Sequence, residues 1–304
     1  MSFEQNESTD QEHSSSHQDS LTDLTHTVRH GICSATRSGS GRPVLLLHGV
    51  TRSWRDWIPV MARLPADWQL VAIDHPGHGD SARTPNQYQV IDYARSVRKF
   101  VDSEFDSPVT IVGHSLGAMV ALWLAAECRN RISAVVLEDP PFHRMGQRIA
   151  DTPYLSLFRG MQEIVLHGGT VEEMTEKLGA LRLPADNGTV RLGDVRTRAS
   201  LQFSAQCLRQ LDLEVFAPLT AAAWLDGFEY DSLWSRLTCP VLLLQGDVSA
   251  GGAFTDADVA LARKCAPLAQ HLFFDGTGHQ IHSNALDEFV VAVQQFVDRE
   301  VIDD

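Results

Sequence analysis

Basic residues are the scarce class in this chain of 304: 25 lysines and arginines stand against 39 aspartates and glutamates, a formal charge of −14. Nucleic acid and anionic membrane surfaces both demand a positive patch, so this balance argues against either as a partner. It fits a small, neutral or mildly polar substrate. Long apolar runs are also missing. With no stretch of about 18 consecutive apolar residues, the sequence offers no membrane-spanning helix. The opening "MSFEQNESTDQEHSSSHQDSLTD" has neither the basic start nor the apolar stretch of a secretory signal, and residues 1–26 read as a solvated, disordered polar tail. Five cysteines (Cys33, Cys128, Cys207, Cys239 and Cys265) are odd in number and never in C-x-x-C spacing. They read as small buried hydrophobes in a reducing, cytoplasmic compartment. No H-E-x-x-H helix is written in the chain, so the histidines of "HPGHGD" carry no expectation of zinc or iron.

Apolar content is ample, at 43%. Six short apolar runs bounded by turn residues, at 42–49, 68–74, 108–115, 132–139, 239–247 and 270–279, predict strands buried on both faces, and such strands belong to a parallel sheet. Helical stretches such as 115–128 lie between them. At the end of the chain Leu286, Phe289, Val290, Val293, Phe296 and Val297 recur at helical spacing and predict an amphipathic helix packed on the core. From Pro140 to about Thr238 the rhythm breaks, leaving helix-like patches and little strand. A hundred residues of structureless loop would be improbable in a compact domain. The expected organisation is therefore an α/β core at 27–140 and 239–304 with a helical cap at 141–238, set over the carboxyl ends of the strands, where open α/β sheets bind ligands.

One stretch carries chemistry. "VGHSLGAMVALWLAAE" puts Ser115 between Gly113 and Gly117 and follows it with an apolar helix. Ser115 reads either as a simple helix cap or as the nucleophile of a G-x-S-x-G elbow. Around it stand "LLLHG" at 45–49, "DHPGHGDS" at 74–81 and "GTGH" at 276–279, each closing an apolar run. In this order and at these intervals the four motifs resemble the α/β-hydrolase superfamily, in its branch with a helical lid, over about residues 27–301.

That resemblance implies an α/β-hydrolase fold with a mostly parallel sheet, no cofactor and no metal. It also implies a serine hydrolase that cleaves a carboxylic ester or lactone through an acyl-enzyme. Ser115 would be the nucleophile and His279 the base, with His282 as a competing base better suited to a structural role. The backbone amides of Val50 and Leu116 would form the oxyanion hole. The acid is the point of departure. Ser249 occupies the usual acid position after the strand at 239–247, leaving Asp139, at the end of the preceding strand, as the favoured acid and Asp247 as the alternative. The prolines Pro140 and Pro141 would fix Asp139's direction, with Glu138 pointing to the opposite side of the strand. Aromatic residues of the cap suit a hydrophobic or aromatic substrate, and Trp54, Phe142, His143 and Trp224 are the candidate pocket residues. Carbon–carbon bond hydrolysis, cofactor-free perhydrolysis and a ligand receptor with little turnover are the rival activities that the same constellation would serve.

Overall fold

A computed structural model of the chain describes residues 25–30, 33–185 and 188–300. The tail expected at 1–26 lies outside the described residues except for its last two, which open a strand instead. Strands β1 (Thr25–His30), β2 (Cys33–Ser38), β3 (Pro43–Leu47), β4 (Gln69–Asp74), β5 (Val109–His114) and β6 (Ile132–Glu138) come first; β7 (Arg182–Ala185) and β8 (Gly188–Arg191) form a separate hairpin, and β9 (Val241–Gly246) and β10 (Gln270–Phe274) finish the large sheet. That sheet has eight strands in the order β1-β2-β4-β3-β5-β6-β9-β10. The pairings β1·β2 and β2·β4 are antiparallel, and every other neighbour in the sheet is parallel.

The period of two along each strand splits its side chains between two cores. Leu45, Leu47, Ile111, Val135 and Leu137 face one side, and Val44, Leu46, Val112, Val136 and Leu242 face the other. Helix α1 (Ile58–Met61) and the closing helix α12 (Leu286–Glu300) cover the second side, α12 through the predicted stripe from Phe289 to Val297. Helices α2 (Val90–Glu104) and α3 (Leu116–Glu127) cover the first. Buried on nearly every face, α3 is apolar all round, as a helix pressed between a sheet and further layers must be.

Between β6 and β9 runs the segment read as a cap, with helices α4 (Pro153–His167), α5 (Val171–Ala180), α6 (Leu192–Val195), α7 (Arg198–Arg209), α8 (Phe216–Thr220) and α9 (Tyr230–Trp234). Its apolar residues, from Phe142 and Met145 to Trp234, join the same continuous cluster as the sheet face beneath. The β7–β8 hairpin inside it was not anticipated, because its short, exposed strands carry no apolar run. After β9 come α10 (Asp256–Cys265) and α11 (Ile281–Asn284).

One strand departs from expectation. The sequence predicts β10 buried on both faces, but Leu272 and Phe273 are 43% and 52% exposed. It is the edge of the sheet, paired on one side only, and apolar content alone does not distinguish an edge strand from a central one. No helix of the described residues is long and apolar enough to cross a membrane.

Candidate active site

Register sets the site. In the parallel pairs His114 lies opposite Glu138, and Glu138 opposite Leu244. The next residues, Ser115 and Asp139, therefore emerge side by side at the carboxyl edge of the sheet, next to the loop after β3 and the loop after β10.

Ser115 turns the chain from β5 into α3 with φ 52° and ψ −111°, a conformation that residues other than glycine rarely adopt. Its side chain makes no capping bond to the helix it begins, which removes the reading as a simple cap. Its amide donates to Glu138 O at 2.9 Å. The flanking glycines are steric necessities. A Cβ on Gly113 would sit 2.3 Å from Gly117 O, and one on Gly117 would sit 2.0 Å from Leu47 O. The first turn of α3 is thus pressed against both β5 and β3, which leaves the serine hydroxyl free of the helix. Leu116 begins α3, and the first amides of a helix have no partner within it.

Asp139 also has a positive φ, 45°. Its carboxylate is fully buried in a ring of donors: Oδ1 accepts from the amides of Gly246 (3.0 Å) and Phe254 (3.1 Å), and Oδ2 from the amide of Ala253 (2.7 Å) and His279 Nδ1 (2.6 Å). His279 keeps 20% of its side chain exposed. With Nδ1–H given to Asp139, Nε2 is the ring nitrogen left uncommitted, and the residue lines the same chamber as Ser115. Among the described residues no hydrogen bond joins Ser115 Oγ to His279, a common state for such pairs before substrate arrives.

Asp247 is occupied elsewhere. Oδ1 accepts from the amide and hydroxyl of Ser249, each at 2.7 Å, and Oδ2 from the amide of Gly276 at 3.1 Å, so it pins one exposed turn to another. Those bonds to Ser249 and Gly276 hold its carboxyl below the usual range.

The histidines of the two glycine-rich loops are struts. His48 accepts from the amide of His75 through Nε2 (3.1 Å) and donates through Nδ1 to Gly49 O (2.7 Å). His75 Nε2 donates to His48 O at 3.1 Å. His78 accepts through Nε2 from the amide of Thr51 (3.2 Å) and donates through Nδ1 to Pro76 O (3.0 Å). His48 and His78 accept and so must be neutral, and burial holds all three rings in that form: it pushes His75 down to about 3 and His78 to about 4, with His48 also well below its ordinary value. The three rings thereby fix the loop carrying Val50, the second expected oxyanion donor. On the far side His114 Nε2 donates to His279 O at 2.8 Å and anchors the histidine loop.

Beneath the site runs a buried chain of alternating charge. Arg52 grips Asp56 with two bonds (2.5 and 2.8 Å), Asp56 lies 3.5 Å from His282 Nε2, and His282 Nδ1 meets Glu138 at 2.9 Å. Burial pulls His282 down, but the carboxylates of Glu138 and Asp56 outweigh it and raise it to about 10. Among the described residues His114, Glu138 and His282 form the one group whose atoms stand close enough to share a metal. A protonated His282 donates where a metal would need a lone pair, so the group reads as an ion-pair network. Asp139 and Glu138 thus serve two different histidines from opposite sides of β6.

Ser115 and His279 open into a chamber of about 60 Å³, with Trp224, Tyr154 and Phe158 among its walls. Tyr154, Arg196 and His279 also line an outer cleft of about 500 Å³. Three expected pocket residues are corrected. Phe142 is 1% exposed and packs its ring 4.9 Å from that of Tyr230; His143 bonds Arg148; Trp54 stacks under Arg55 and packs on the opposite core. Most aromatics of the segment hold it to the sheet. Arg52 and Arg196, both chamber residues, were missed. Arg52 stands inside the "HGVTRSW" loop after β3 and could have been suspected from that position, whereas nothing local marks Arg196.

Residues 42–172 match the family described as the alpha/beta hydrolase fold. A serine hydrolase-like protein of Danio rerio is 31% identical over 140 residues, 45% of this chain and 42% of that protein, so the chain spans less than half of that relative's length. The 2-(acetamidomethylene)succinate hydrolase of Mesorhizobium japonicum is 24% identical over 86% of this chain and 89% of its own. The crystal structure of the enol-lactonase of Burkholderia xenovorans LB400 superposes with a TM-score of 0.67 at 18% identity, over 88% of this chain and 96% of that one.

Proposed function

From the premise that the chain belongs to the α/β-hydrolase superfamily, we propose that it is a serine hydrolase acting on a small carboxylic ester or lactone. The observation that carries this reading is a serine on a strained elbow beside a histidine whose far nitrogen is held 2.6 Å from a buried carboxylate. A serine hydroxyl is a poor nucleophile near neutral pH and needs a base that is itself oriented. In this reading His279 Nε2 takes the proton of Ser115 Oγ as the hydroxyl attacks the carbonyl. Asp139 holds the ring and stabilises the imidazolium. The amides of Val50 and Leu116 receive the negative charge on the carbonyl oxygen, and His279 returns the proton to the leaving alkoxide. Water activated by the same histidine then releases the acid and restores the serine. No cofactor takes part. Residues 141–238 act as a cap that walls the chamber through Tyr154, Phe158 and Trp224 and limits water around the reacting bond.

The test is turnover of an activated aryl ester by the purified chain. Many cycles per molecule are expected, and Ser115→Ala should lose on the order of a millionfold in rate. A single burst without turnover would favour a ligand receptor, and an undiminished Ser115→Ala enzyme would overturn the reading.

A further inference from the structure

The walls of the chamber and cleft contradict the charge of the molecule as a whole. Acids outnumber bases 39 to 25 in the chain, yet the lining contains Arg52, Arg144 and Arg196 and no aspartate or glutamate. The three arginines are not equivalent. Arg52 is committed: Asp56 takes two of its bonds, Ser204 Oγ accepts another at 3.0 Å, and its guanidinium lies over the Phe203 ring. The guanidinium groups of Arg144 and Arg196 have no hydrogen bond or ion pair to any described residue. Both lie close enough to Tyr154 for their charge to be felt at its hydroxyl, and Tyr154 packs its ring 6.1 Å from that of His279. Burial first, and the like charge of Arg52 second, push Arg196 below its ordinary value against a weaker opposing pull from Tyr154 and Asp56, and no carboxylate among the described residues bonds its guanidinium. A partly buried cation without a partner is costly, and a carboxylate offers a planar guanidinium two parallel bonds.

We infer that Arg196, assisted by Arg144, is the anchor for a substrate carboxylate, and that the substrate is a small ester or lactone bearing a free acid group. Arg196 borders both the chamber of about 60 Å³ that contains Ser115 and the cleft of about 500 Å³ outside it. The acid group therefore stands at the junction, the scissile carbonyl lies inward at Ser115, and any bulk extends into the cleft. In an acidic protein a positive lining also concentrates the field at the one place where an anion must dock. The role is positioning and binding, remote from the reacting bond, so its signature falls on KM more than on kcat.

This inference rests on the serine hydrolase reading, and matched substrate pairs separate the two. One pair places the acid on the acyl side, 4-nitrophenyl hydrogen glutarate against 4-nitrophenyl valerate. The other places it on the leaving group, 4-acetoxybenzoate against 4-acetoxybenzamide. The quantity read is the charged-to-neutral ratio of kcat/KM. In the native enzyme it should favour the charged member of at least one pair. In Arg196→Gln the ratio should fall about tenfold to a hundredfold, the range of a charge-assisted bond, with Arg196→Lys recovering part of it. Neutral members turned over at least as well in both pairs, or an equal loss on both members in Arg196→Gln, would overturn the anchor while leaving the hydrolase reading intact. If neither member is turned over, the hydrolase reading fails. The anchor is then judged by calorimetry on Ser115→Ala protein with 4-nitrophenyl hydrogen glutarate: binding lost in the Ser115→Ala, Arg196→Gln double variant supports it, and unchanged binding overturns it.

Discussion

At the residue scale, two carboxylates compete for one histidine, and the geometry separates them by what each already holds. Asp139 gathers three backbone amides and the His279 imidazole around one buried group, while Asp247 spends both oxygens on turn amides and the Ser249 hydroxyl in solvent. Asp139→Asn keeps the size and loses the charge, so kcat should fall by about four orders of magnitude. Asp247→Asn should stay within a few-fold of native, and the reverse order in steady-state assays would reassign the acid. His282 supports a second prediction. Its proton is held to about 10 in the fold, against about 6.5 in an unfolded chain. A raised folded value stabilises the fold fully below about 6.5, and that contribution is lost as pH climbs towards 10. Urea titrations from pH 6 to 10 should show stability declining over that window. His282→Gln should be about 3–5 kcal/mol weaker at the acid end, because it leaves buried carboxylates without their cation, and flatter across the range. Parallel curves for the two proteins would contradict the assignment. The triad candidates were legible through the resemblance of "GHSLG" and "GTGH" to the α/β-hydrolase pattern, with the prolines after Asp139 favouring it over Asp247. Arg196 was not legible, since no local pattern tells which arginine will lose its solvent.

At the scale of elements, the elbow works because α3 can lie against β3 without side chains between them. Gly117→Ala would drive a Cβ to 2.0 Å from a backbone carbonyl that belongs to the central sheet and cannot yield. It should cost about 1–3 kcal/mol or more and disturb the turn that presents Ser115. Gly179→Ala is the contrast. Gly179 lies in α5, where the nearest atom to an added Cβ is Leu201 Cδ1 of α7 at 3.5 Å, an ordinary contact, and alanine in a helix should gain about 0.5–1 kcal/mol. Thermal melts of the two variants should move in opposite directions, and a matched fall in both would undermine the packing argument. Strand identity was legible wherever apolar runs met turn residues. β10 was misplaced as a doubly buried strand because burial on a sheet depends on neighbours, and β7 and β8 carry too little apolar content to announce themselves.

At the scale of the molecule, β3, β5, β6, β9 and β10 end at one edge, and the loops leaving them bring Val50, Ser115, Asp139 and His279 together from positions spread across much of the chain. The segment between β6 and β9 shares its apolar cluster with the sheet, so the chamber's walls are held by the same packing that holds the fold. Which faces would close over the site could not be read from periodicity, because that depends on how α4 to α9 settle on the sheet. Hydrolysis by this site requires Ser115 to be the activated nucleophile. The direct measurement is mass spectrometry of the intact and digested protein after brief exposure to a fluorophosphonate near neutral pH. It should find a single adduct, on the peptide that contains Ser115, with labelling abolished in Ser115→Ala and strongly slowed in His279→Ala. Adducts at other serines, or unchanged labelling in Ser115→Ala, would contradict it.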